Sequence, residues 1–178
     1  MAAPTPPQDP AVLLPFGETP EQVRASLSCE LDAFAAQLRT RAQDWTATQP
    51  GREWSPAQEA EHVLKINQGI TRVLGLLLSD RELRPTPQNP GRLVGGKRQA
   101  PADSLPGAEG LRWDGWEQEW RAGREALETV AAGVRETPGR TFWHPYFGEL
   151  DALDWLRMVA AHLHSHRRLL EQSAGAEV

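Results

Sequence analysis

The chain contains one cysteine, Cys29, among 178 residues. That excludes an intramolecular disulfide framework and a thiolate metal cluster, and it fits a reducing, cytoplasmic setting. Excess basic charge is also missing. The net charge of −5 argues against nucleic acid as a main partner, because duplex binding relies on a basic face. No run of about 18 apolar residues occurs, so no segment reads as membrane-spanning. There is no convincing strand alternation and no repeat at solenoid spacing. The opening stretch, Met1–Pro15, carries no Lys or Arg. It therefore does not read as a secretory signal, which needs a basic start and an apolar core, but as a flexible Pro- and Ala-rich lead-in.

What remains is helical. Hydrophobic residues make up 39% of the chain and charged residues 24%, enough to build one core in a single domain of this length. The domain is expected over residues 16–172, with 173–178 as a fraying tail. Thr19-Pro20-Glu21 reads as a cap, a proline at the first helical position and an acid at the positive end of the dipole. Val23, Leu27, Leu31, Phe34, Leu38, Ala42 and Trp45 then recur every three or four residues, predicting a helix that stops before Gln49-Pro50-Gly51. Cys29 lies off this stripe and is given no role. Ser55-Pro56 opens a second helix whose face runs through Glu59, His62, Ile66, Ile70, Val73, Leu74 and Leu77 to about Asp80. Trp113 to Arg135 gives a third, with Trp113, Trp116, Trp120, Leu127, Val130 and Val134 inward. The fourth follows an aromatic, turn-rich link, Thr137–Gly148. The expected class is all-α: a four-helix bundle with a long connection between helices two and three.

That connection, residues 81–112, is rich in Pro and Gly, and loops of this length carry function or move. Within it Gly91-Arg92-Leu93-Val94-Gly95-Gly96-Lys97 has phosphate-loop spacing up to the lysine. Arg98 then stands where a magnesium-binding Ser or Thr belongs, no strand precedes it and Pro101 opposes a following helix. A nucleotide site is discounted.

Three of the five histidines fall in Asp154–Leu170. On a helix, apolar residues 152, 155, 156, 159, 163, 169 and 170 trace one face. His162 and His166 lie inside that stripe, whereas His164 points elsewhere. Two imidazoles one turn apart are close enough to grip one cation. A third ligand must come from another helix, and His62 shares the inner face of helix two. Three neutral imidazoles with positions left open are a usual catalytic arrangement. Rival architectures fail on spacing. A zinc-protease helix needs Glu directly after the first histidine, where Leu163 stands. A di-iron bundle needs two Glu-x-x-His units. Glu59–His62 supplies one, but Val159 and Leu163 occupy the second position. Glu59, one turn before His62, is the candidate proton acceptor or supporting carboxylate. His144 precedes a proline and reads as an exposed loop or rim residue.

Two blocks carry a family likeness. Trp54-Ser55-Pro56-Ala57-Gln58-Glu59-Ala60-Glu61-His62 opens helix two. His144-Pro145-Tyr146-Phe147-Gly148-Glu149-Leu150 continues through Trp155-Leu156 to His162-x-x-x-His166. In their order and spacing they resemble the DinB/YfiT-like superfamily of metal-binding helical bundles, across most of residues 15–172. The resemblance implies metal ligands at His62, His162 and His166, a bundle that is not a simple up-and-down meander, and frequent dimers. Where the family often has Gln and an aliphatic residue after the last histidine, Leu169-Leu170 stand here, so that glutamine's role does not transfer. Some relatives transfer small thiols such as bacillithiol to electrophiles, and one group isomerises maleylpyruvate with mycothiol.

The expectation is therefore one divalent ion per chain, zinc or nickel first, with iron and manganese also within reach of the set. It would serve a thiol S-transferase acting on a small-molecule thiol and an electrophile. A metal-dependent hydrolase and a non-catalytic metal-binding stress-response bundle are the alternatives.

Overall fold

The computed structural model describes residues 7–174. Four helices dominate: α1 (Pro20–Arg39), α2 (Pro56–Leu78), α3 (Trp116–Ala131) and α4 (Ala152–Ala174). The two prolines predicted to open helices do so. Thr19 Oγ1 accepts from the Gln22 amide while the Gln22 side chain accepts back from Thr19, and Ser55 with Gln58 repeats the arrangement on α2. Each capping box satisfies two of the amides that a helix start leaves without partners.

α1 ends earlier than its apolar period. The helix stops at Arg39 and the chain continues in tight turns to residue 46, although Trp45 is still buried. The cause is polar. The Thr40 hydroxyl donates to the Gln37 carbonyl. The buried Arg41 guanidinium donates to Leu170 O at 2.8 Å and to Ser173 Oγ, and pairs with Asp44. A buried guanidinium needs such partners, and reaching them bends the chain. α3 likewise begins three residues later than expected, at Trp116; Trp113 lies outside it and is exposed.

α1 packs chiefly on α4, and α2 lies between α3 and α4. Consecutive helices α1 and α2 therefore stand diagonally, so the bundle is not an up-and-down meander. The core contains Val23, Leu27, Leu31, Phe34 and Leu38 of α1, Val63, Ile70, Leu74 and Leu77 of α2, Trp116, Trp120 and Leu127 of α3, and Leu153, Leu156, Val159 and Leu163 of α4. Each fully buried aliphatic side chain contributes about 1.5–3 kcal/mol.

The expectation of no strand is corrected on a small scale. Leu93–Val94 (β1) pairs with Lys97–Arg98 (β2), and Phe142–His144 (β3) with Gly148–Leu150 (β4), both antiparallel. Gly95 and Gly96 turn the first hairpin with φ of 58° and 78°, values suited to a tight hairpin turn. The discounted phosphate-loop pattern is thus a hairpin, followed only by the one-turn 3-10 helix Ala102–Ser104. The lead-in is also more ordered than expected. Pro10–Phe16 forms a 3-10 helix capped by Asp9, with Leu13 buried. Arg157 of α4 holds the following turn by donating to Gly17 O and Glu18 O, both at 2.8 Å. At the other end, α4 runs on through Ser173, which had read as tail. Residues 1–6 and 175–178 of the expected lead-in and tail lie outside the described residues. Among the described residues no helix is long and apolar enough to cross a membrane.

Candidate metal centre

α2 and α4 pack side by side, and helical phase places His62 on one and His162 and His166 on the other facing the seam between them. The ring centroids lie 5.2 Å (62–162), 4.9 Å (62–166) and 4.4 Å (162–166) apart. One nitrogen from each ring can be chosen so that all three lie within 4.8 Å of one another. His62 Nε2 and His162 Nε2 are 3.2 Å apart. Two nitrogens about 2.05 Å from a common ion would be separated by about 2.9 Å at a right angle and about 3.3 Å at the tetrahedral angle. The observed edge falls between these values.

The other face of each ring fixes which nitrogen is free. His62 Nδ1 donates to the Ser104 carbonyl at 2.8 Å, leaving the Nε2 lone pair directed at His162. His166 Nδ1 lies 2.6 Å from Glu59 Oε2, and donation to that carboxylate leaves its Nε2 free. Glu59 is 2% exposed and its second oxygen pairs with Arg52. Both oxygens are therefore engaged, and the carboxylate stands behind His166 as a support. His162 differs: its Nδ1 is shielded from solvent and has no hydrogen-bond partner.

Burial drives the electrostatics. His62 is pushed down to about 4, first by desolvation and then by the charge of His166, against the opposing pull of Ser104 and Glu59. His162 is held well below the ordinary histidine range by burial, reinforced by His166 and His62. Imidazoles kept neutral near pH 7 have lone pairs available for a cation. Trp54 walls the group, its ring 4.8 Å from His62 and stacked at 6.5 Å on His166.

The remaining histidines are elsewhere. His164 faces α1, with Nδ1 2.9 Å from Glu30 Oε1 and 3.2 Å from an Arg167 nitrogen. His144 is not the exposed loop residue expected. It ends β3, accepts from the Tyr146 amide at 3.1 Å and packs on Phe147 and Trp155. Burial, with a smaller effect from Arg98, lowers it to about 4. Neither joins the three-histidine group. Arg52, Trp54 and Ser104 were missed as partners of the site. Arg52 and Trp54 are close in sequence to His62, a weak signal; Ser104, 42 positions along in a Pro/Gly-rich loop, gave none.

The donor set suits a divalent ion: three imidazoles whose nitrogens converge between α2 and α4, two of them oriented from behind. A search of curated proteins gives no match. Among solved structures, the chain is similar to TT2238, a four-helix bundle protein, with 25% identity and a TM-score of 0.62 over 87% of this chain and 100% of that one. The family model of the DinB superfamily matches residues 19–170, a span that contains all four helices except the end of α4 and all three clustered histidines. The chain belongs to the DinB superfamily.

Proposed function

We propose that His62, His162 and His166 hold one divalent metal ion, zinc or nickel, and that the protein is a metal-dependent thiol S-transferase acting on small electrophiles. The observation that carries this reading is the convergence of three imidazoles in the seam between α2 and α4, two of them with the second nitrogen already engaged. Among the described residues no Cys, Asp, Glu or fourth His completes the group. Three protein ligands with positions left for exogenous molecules favour catalysis over a closed structural site.

Bound there, a divalent ion supplies positive charge that favours ionisation of a coordinated thiol or water. The chain's own residues prepare that place. Glu59 orients His166, and Arg52 holds Glu59. With both oxygens occupied, Glu59 acts as a positioning carboxylate and not as the proton acceptor. Trp54 excludes water from one side of the imidazoles. The only cysteine, Cys29, is exposed on α1, so the sulfur nucleophile is an external small thiol, and the reaction belongs to a reducing, cytoplasmic setting.

The test is an incubation of zinc- or nickel-loaded protein with a panel of small thiols and an aromatic electrophile, monitored by mass spectrometry. A thioether adduct formed by wild type and not by His166→Ala supports the reading. Water in place of thiol in the product identifies a hydrolase. No turnover by fully loaded protein with any pair overturns catalysis and leaves a metal-binding bundle.

A further inference from the structure

The long connection between α2 and α3 meets α2 along one strip of side chains. Gln58, Glu61, His62 and Lys65 are spaced i, i+3, i+4 and i+7, so they lie on one face of the helix. Each of the four bonds the backbone of residues 104–108. Gln58 Nε2 donates to Gly107 O at 3.1 Å and to Ala108 O at 3.2 Å. Glu61 Oε2 accepts from the Gly107 amide at 3.1 Å. His62 Nδ1 donates to Ser104 O at 2.8 Å, and Lys65 Nζ to Leu105 O at 2.9 Å. The segment ends on the helix backbone itself: the Leu111 amide donates to Ala57 O at 3.1 Å, and a Cβ on Gly110 would lie 2.3 Å from the Ala57 carbonyl carbon. Ser104 is buried within this strap, its hydroxyl turned back to Pro101 O.

One of the four side chains that read the strap is thus a clustered histidine. The bond to Ser104 O requires the proton on Nδ1, which is the tautomer that leaves Nε2 free toward His162 and His166. We propose that residues 104–111 form a strap that selects the ligating tautomer and ring orientation of His62. Gln58, Glu61 and Lys65 are its positioning residues, and strap docking and metal loading are one coupled equilibrium. This rests on the metal reading above. Coupling is reciprocal: a docked strap tightens metal binding, and a bound ion holds the strap down.

Gln58 permits a selective test. Its side-chain oxygen accepts from the Ser55 amide in the capping box at 3.1 Å, whereas its nitrogen holds the strap. Gln58→Glu keeps the acceptor and removes the donor, placing a carboxylate against two carbonyls. Combined with Glu61→Ala it releases the strap while the helix cap remains. Glu61→Gln is the conservative comparison, because it retains an oxygen for the Gly107 amide.

Zinc affinity is measured by competition with a chelator, amide exchange of residues 104–111 is followed with and without zinc, and the His62 tautomer is read in metal-free protein by ¹⁵N NMR. The proposal expects about tenfold or greater loss of zinc affinity in Gln58→Glu/Glu61→Ala, with near-wild-type affinity in Glu61→Gln. It also expects zinc to slow exchange of the strap in wild type, and Nδ1–H on His62 in wild type to give way to a tautomer mixture in the double variant. Unchanged zinc affinity and an unchanged tautomer in a folded double variant overturn it. Wild type that binds no zinc or nickel overturns the metal reading and the coupling together, and is told apart from the former result by that wild-type measurement alone.

Discussion

His162 and His164 are two residues apart on α4 and occupy opposite chemical situations. His164 looks toward α1, is partly exposed and has its Nδ1 engaged: Glu30 faces it, and Arg167 binds the same carboxylate. Burial alone would raise the Glu30 carboxyl, but the hydrogen bonds from Arg167 and His164 overcome this and hold it below its usual range. His162 looks toward α2, is itself half-buried against His62 and His166, and has its Nδ1 shielded from solvent without a partner. Glu30 and Arg167 are partly buried, and His164 is the most exposed member of that network. A buried imidazole nitrogen with nothing to bond costs about 1–3 kcal/mol. The comparison shows that a site is recognised less by its residue type than by which ring nitrogens the fold brings together.

The largest expected contrast is between these two positions. His162→Ala, like His62→Ala or His166→Ala, should remove stoichiometric metal binding, whereas His164→Ala should leave it intact; chelator competition measures both. Next comes the support behind His166. Glu59→Gln should weaken metal binding by about 10–100-fold, the usual effect of losing a carboxylate behind a ligating histidine. Glu59→Ala should in addition cost about 3 kcal/mol in urea unfolding of the metal-free protein, because Arg52 loses its buried partner. If Glu59→Gln binds metal as wild type does, the carboxylate does not orient His166.

A pH effect of intermediate size follows from the inner face. His62 and His144 are held near 4 in the fold against about 6.5 unfolded. Between those values the unfolded chain binds protons that the native chain does not. Stability of the metal-free protein is therefore complete above about pH 6.5 and declines as pH falls toward 4, by up to about 1.4 kcal/mol per unit for each such histidine. Urea titrations at pH 7, 6 and 5 measure the slope, and His144→Gln should flatten it without affecting metal stoichiometry. The smallest effect belongs to the outer face. His164→Ala should change stability by less than about 0.5 kcal/mol, since Glu30 keeps Arg167. A larger loss would mean that the two faces of α4 are less different than their hydrogen bonds indicate.

The helical periods and caps made α2 and α4 legible in the sequence, and with them the phase that brings His62, His162 and His166 together. A residue's face on a helix depends on local geometry alone; α2 begins where Ser55-Pro56 indicated, and α4 follows the Thr137–Gly148 link at Ala152. Trp45 misled because its burial continued the α1 period, while Arg41 was already bending the backbone toward α4. Leu93–Arg98 and Phe142–Leu150 were missed as hairpins because strands of two or three residues are too short for alternation to register. The polar surroundings of the site were least legible. Ser104 contributes a backbone carbonyl, which no side-chain pattern encodes, and Arg52 reaches Glu59 from outside the helix whose period was being followed.

The most direct test of the central claim is elemental analysis of purified wild type, His62→Ala, His162→Ala and His164→Ala, each reconstituted with zinc or nickel at neutral pH. About one ion per chain in wild type and His164→Ala, with none in His62→Ala and His162→Ala, is the predicted result. A wild type without metal, or an ion that persists when His62 and His162 are each removed, would contradict it.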